Sequence, residues 1–118
     1  MQTKTPNRTF YEDQVRYCET KDIAGIRSHY TDDAVLVSFD NQIFGGDAIA
    51  EYFTGYLDRM AGLKLASTDR FVETDDTIFF EATINLDAGV ARVYDAFHLR
   101  DGRALRHFTG LLSFTPKS

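Results

Sequence analysis

The chain has 118 residues, 43% hydrophobic and 26% charged, with 13 basic against 18 acidic side chains and a formal net charge of -5. That balance disfavours a general nucleic-acid surface, and no apolar run is long enough to span a bilayer. Cys18 is the only cysteine, which excludes an intrachain disulfide and suits a reducing, cytoplasmic compartment; MQTKTPNRTF lacks the apolar core of a secretory signal. The size fits one domain over residues 1–118, with residues 1–7 as a loose N-terminal tail.

FYEDQVRYCET reads as a helix with Phe10, Tyr11, Val15, Tyr17 and Cys18 on one side. Gln14 falls among them, either as an edge residue reaching solvent or as a pocket residue. Asp22 can cap a short helix carrying Ile23, Ile26 and Tyr30, which Thr31-Asp32-Asp33 breaks. AVLVSF is a strand candidate, and Asp40-Asn41-Gln42 turns it into Ile43-Phe44. From Asp47 to Ala61, the residues Ala48, Ile49, Tyr52, Phe53, Tyr56, Leu57 and Met60 form a broad apolar stripe, with Gly62 at the C′ position. Strand-like runs then cover roughly Leu63–Glu73, Thr77–Leu86, Ala91–Arg100 and Arg103–Phe114, joined by short turns. Helices first and an antiparallel meander afterwards predict an α+β fold, with amphipathic helices on one face of a curved sheet.

No phosphate-binding glycine pattern, CxxC pair, HExxH or nucleophile elbow is present, and the three histidines lack ligand spacing, so neither metal nor cofactor is expected. His29, near a helix end, and His98, on the outer column, read as solvent or interface residues. Cys18 reads as a small core residue.

In RVYDAFHLRDGRALRHF, alternation puts Asp95 in one column with Val93, Phe97 and Leu99. A carboxylate in an apolar column marks a pocket or a structural polar network. Its partner depends on hairpin register. A two-residue type I′ turn at Asp101-Gly102 sets Asp95 opposite Phe108, whereas a three-residue loop with a bulge at Gly102 sets it opposite His107.

KDIAGIRSHYTDDAVLV, FGGDAIAEYF and VYDAFHLRDGRALRH, in that order, resemble the nuclear transport factor 2-like superfamily, especially its SnoaL-like and ketosteroid isomerase-like branches, across about Phe10 to Phe114. The resemblance implies a cone-shaped α+β barrel around one deep, mostly apolar pocket, and a homodimer packed through the outer sheet face. It favours the register that turns His107 inward and leaves Phe108 and Leu112 outside with Tyr94. In the isomerases an aspartate matching Asp95 acts as oxyanion donor, but their general base falls on Ser38 and their helix-one tyrosine on Gln14. The limonene-epoxide hydrolase branch needs an arginine and a second carboxylate where this chain has Val93 and Thr109. SnoaL-like cyclases use aspartate with a nearby histidine, roles open to Asp95 and His107.

The function expected is therefore a small cofactor-independent isomerase, lyase or cyclase acting on an apolar carbonyl compound. Asp95 and His107 would move protons. Gln14, Tyr17, Tyr30 and Ser38 would orient the substrate, and Phe53, Tyr56, Leu57, Met60, Phe80, Val93, Phe97 and Thr109 would wall the pocket. The alternative is a non-catalytic module of the same fold that binds a hydrophobic metabolite or dimerises.

Overall fold

In the computed structural model, which describes residues 4–117, the chain runs through three helices and six strands. Helix α1 spans Pro6–Thr20, and the Thr5 side chain accepts the Arg8 N–H at 3.0 Å as its N-cap. It begins earlier than its apolar stripe suggests. Pro6 and Asn7 belong to its first turn rather than to a loose tail, because the Asn7 amide donates to the Thr74 carbonyl at 2.6 Å and ties that turn to the sheet. Residues 1–3 of the expected tail lie outside the described residues. Lys21, at φ 55°, closes the helix in the left-handed conformation.

Helix α2, Ile23–Ser28, is capped by Asp22, whose carboxylate accepts the Gly25 N–H at 2.9 Å. Tyr30, expected on its stripe, instead opens strand β1, Tyr30–Val37. The helix yields there because the His29 carbonyl accepts the Ala104 N–H at 2.7 Å, which draws the chain into the sheet. Strand β2, Gln42–Phe44, leads to helix α3, Gly46–Arg59. Ile49, Phe53 and Leu57 recur every four residues along α3 and are buried, each worth roughly 1.5–3 kcal/mol by removal from water. Met60 and Ala61 lie in the turn beyond α3, and Gly62 takes φ 79°.

Strands β3 (Lys64–Glu73), β4 (Thr77–Leu86), β5 (Gly89–Arg100) and β6 (Arg103–Pro116) form the expected meander. The sheet order is β2-β1-β6-β5-β4-β3, with β1 parallel to β6 and the other neighbours antiparallel. The barrel is not closed: β2 and β3 are free edges, and the helices fill the concave side. Bulges on β3 and β6 supply curvature. At Gly110 of β6 a Cβ would come within 2.5 Å of the Tyr94 ring, so the paired tyrosine lies over bare backbone on the outer face.

Candidate active site

The concave face encloses a cavity of about 100 Å³, lined by α1, α3 and all the strands except β2. Of the residues expected there, Gln14, Phe53, Tyr56, Phe80, Val93, Phe97 and Thr109 do line it, together with Asp95 and His107. Five others do not. Tyr17 packs edge-on against His29, with ring centroids 5.0 Å apart. Ser38 lies past the end of β1, where its hydroxyl accepts the Asn41 N–H at 3.1 Å and closes the turn into β2. Leu57 is buried in the core between helix and sheet. Met60 packs against a satellite cluster of Ile84, Leu86 and Ala91. Tyr30 sits one layer behind the wall, fully buried.

Tyr11, Val15 and Cys18, which share the apolar face of α1 at i−3, i+1 and i+4 from Gln14, also line the cavity, beyond the residues expected there. Tyr52, one residue before Phe53 on the α3 stripe, also contributes. Leu36, Leu63, Leu65, Ala82 and Ile84 are ordinary strand or turn apolar residues, and no local signal separates them from core.

The hairpin register follows neither expected alternative. Asp101 and Gly102 have φ of 53° and 79°, a two-residue turn of the I′ kind, and Arg100 pairs with Arg103. One step further the register shifts: Leu99 pairs with Ala104 but His98 pairs with Arg106, so Leu105 is the extra residue of a bulge. From there Phe97 stands opposite His107 and Asp95 opposite Thr109. His107 thus points inward as anticipated, but as a diagonal neighbour of Asp95 and through a bulge in β6, not through the turn.

Those two residues end a continuous hydrogen-bonded chain. His29 Nδ1 lies 2.7 Å from Gln14 Oε1, and Gln14 Nε2 donates to the Tyr30 hydroxyl at 3.3 Å. The Tyr30 hydroxyl lies 2.8 Å from His107 Nδ1, and His107 Nε2 lies 2.7 Å from Asp95 Oδ1. A hydroxyl has one hydrogen, and Tyr30 is fully buried with its oxygen already accepting from Gln14. Its hydrogen therefore goes to His107 Nδ1, which must be bare. The His107 proton then sits on Nε2 and is donated to Asp95 Oδ1. The Phe97 ring, stacked on His107 at 4.0 Å, fixes the imidazole plane. His29 contradicts its expected solvent or interface role: it stacks on Phe10 at 4.0 Å and joins the chain.

Asp95 is the sole acidic residue of the cavity wall. Its second oxygen, Oδ2, makes no hydrogen bond among the described residues. Burial, reinforced by the Asp95 charge, pushes the Cys18 thiol up to about 12 and also raises the Tyr56 phenol. Both remain protonated at neutral pH. Burial also lowers the His29 imidazole to about 4, partly opposed by Asp13. Among the described residues no group of three or more His, Cys, Asp or Glu is placed to hold a metal ion, and no helix is long and apolar enough to cross a membrane.

A curved, open sheet packed against N-terminal helices is the architecture of the nuclear transport factor 2-like class. The sequence model of the SnoaL-like domain matches residues 9–107, and the chain belongs to that family. No curated protein matches it significantly in sequence. Similar crystal structures include a SnoaL-like protein of unknown function from Burkholderia thailandensis, at 16% identity and TM-score 0.78 over 96% of this chain and 100% of that one. A nuclear transport factor 2-like protein of unknown function from Burkholderia xenovorans has 15% identity and TM-score 0.77 over 90% and 82% of the two chains. TerC, co-crystallised with polyporic acid, has 19% identity and TM-score 0.75 over 91% and 92%.

Proposed function

We propose that the protein is a cofactor-independent enzyme that removes a proton from the carbon beside a carbonyl group in an apolar, ring-containing small molecule. Such an enolisation is the opening step of many isomerase, lyase and cyclase reactions. The observation that carries the reading is the 2.7 Å contact of His107 with Asp95 at the wall of an otherwise apolar cavity, with one carboxylate oxygen left free. Asp95 Oδ2 takes the proton, the C–H electrons form the carbon–carbon double bond of an enolate, and charge develops on the carbonyl oxygen. Positioned acid–base groups of this kind contribute about 10²–10⁴-fold.

His107 acts through Asp95, since both of its nitrogens are already bonded. Tyr30, expected as a phenolic donor, spends its hydroxyl in the same chain. The donor to the enolate oxygen is Tyr56, a cavity residue whose hydroxyl makes no hydrogen bond among the described residues and which burial keeps protonated. The co-crystallisation of TerC, a protein of the same fold, with polyporic acid supports a small organic occupant for such a pocket.

The protein acts as a homodimer joined through the outer sheet face. Val72, Phe79, Ala96, Phe108 and Val37 form one cross-strand row over five strands, and Val72, Phe79 and Phe108 are 62%, 51% and 45% exposed. The site is proposed to work in a reducing, cytoplasmic compartment, where its lone thiol is stable.

Deuterium uptake from D₂O at the α-carbon of a benzo-fused cyclic ketone such as 2-tetralone, followed by NMR, tests the chemistry. Wild-type protein should accelerate uptake, and Asp95→Asn should lose at least about 100-fold of it while keeping ligand affinity. Equal rates in both would remove Asp95 as the base. Ketone binding without exchange would make the protein a binding module, the reading that the displacement of Ser38 from the cavity favours.

A further inference from the structure

His29 does not line the cavity, yet it terminates the chain of hydrogen bonds that runs, among the described residues, from Asp95 through Gln14 of α1 to the C-cap of α2. We infer that His29 is a positioning residue whose choice of protonated nitrogen sets, through Gln14 and Tyr30, which nitrogen of His107 carries its proton and so what His107 presents to Asp95.

The chain has two self-consistent polarities. In the first, His29 Nδ1–H donates to Gln14 Oε1, which turns the amide NH₂ toward Tyr30. The Tyr30 hydroxyl then donates to His107 Nδ1, and His107 Nε2–H donates to an Asp95 carboxylate. In the second, His29 carries its proton on Nε2 and presents a bare Nδ1, so the Gln14 amide turns over and offers its oxygen to Tyr30. The Tyr30 hydrogen follows, and His107 must protonate Nδ1; its Nε2 then faces Asp95 either bare against a carboxylic acid or protonated, as imidazolium, against a carboxylate. The second state holds one proton more than the first, shared by the His107–Asp95 pair. An acceptor-only carboxylate and a donor carboxylic acid differ entirely in what they offer a substrate.

The protein holds the first polarity. Gln14 Oε1 faces His29, which fixes the donor at Nδ1. The imidazole cannot swing away, since Phe10 stacks on one face at 4.0 Å and Tyr17 meets it edge-on at 5.0 Å. Gln14 and Tyr30 are 6% and 0% exposed, so water does not readily replace a missing link. Two polar residues that looked out of place in sequence, Gln14 on an apolar helix face and Asp95 in an apolar strand column, are opposite parts of this one device.

The inference concerns the site of the proposed enolisation, but its test uses no turnover. In protein labelled with ¹⁵N-histidine, long-range nitrogen–proton correlation should show His29 protonated on Nδ1 and His107 on Nε2. His29→Phe keeps the stack on Phe10 and removes the donor; His107 should lose its single Nε2–H form. His29→Asn, with an amide N–H near the former Nδ1, should restore it. Gln14→Met breaks the next link and is read in the same way, so a poorly folding His29 variant leaves the question decidable. An unchanged His107 signal in His29→Phe or Gln14→Met would overturn the inference, as would Nδ1–H on His107 in the wild type. A coupled tautomer without ketone exchange would reject the proposed chemistry and leave this inference standing.

Discussion

Replacing Tyr30 by phenylalanine removes one oxygen from the centre of the buried chain and little else. The ring is 0% exposed and its packing is kept, so the cost comes from the polar groups left behind. Gln14 Nε2 loses its acceptor at 3.3 Å, the longest and weakest contact of the chain, so this loss is the smaller one. His107 Nδ1 loses its donor at 2.8 Å and, in a residue only 3% exposed, has no substitute. An orphaned buried group of this kind costs about 1–3 kcal/mol. Taking ~2 kcal/mol, and 3–5 °C per kcal/mol for a chain of this length, Tm should fall by about 6–10 °C. Urea unfolding followed by circular dichroism measures the loss, with m unchanged. In a His107→Leu background the same change should cost much less, since the group it orphans is gone. A loss below about 0.5 kcal/mol in the wild type, or equal losses in both backgrounds, would refute the reasoning.

Two further outcomes follow from the same structure. The His29 imidazole is held near 4 in the folded protein against an ordinary value of 6.5, so the unfolded chain takes up the proton first. Stability is therefore full above pH 6.5 and declines as pH falls toward 4, and the difference between wild type and His29→Phe in urea midpoint should narrow over that window. A constant difference from pH 7 to 4 would contradict the burial of His29. On the outer face, Phe108→Glu puts a charge in the middle of the apolar row and should convert a dimer to monomer in sedimentation equilibrium. A wild-type monomer at micromolar concentration, or a variant that still dimerises, would remove the sheet face as the interface.

Much of the architecture is written in local pattern. The α3 stripe, the Asp22 cap and the four-strand meander follow from apolar periodicity and turn residues, which act over a few neighbours. So does the inward placement of Asp95, because side chains alternate strictly along a strand. Gln14 announced itself in the same way, as a polar residue on an apolar face. Ser38 shows where likeness to a family misleads: its position along the chain matches a catalytic one, but β1 ends at Val37 and a turn claims its hydroxyl.

What pattern could not reach was decided between strands and between helix and sheet. Asp101-Gly102 specifies the I′ turn, yet the partner of Asp95 is set three residues later by the bulge at Leu105, and no residue type is unique to a bulge. Tyr30 carries helical spacing from Ile23 and Ile26 but is taken into β1 by pairing with β6, more than seventy residues away. That pairing puts its hydroxyl between Gln14 and His107, and α1 packing puts His29 at the other end. The sequence by itself determined the fold class and the inward carboxylate, because both depend on periodicity. Only tertiary structure decided which groups the carboxylate answers to, because hydrogen bonds across 15 and 77 residues depend on register and packing, which no local pattern encodes.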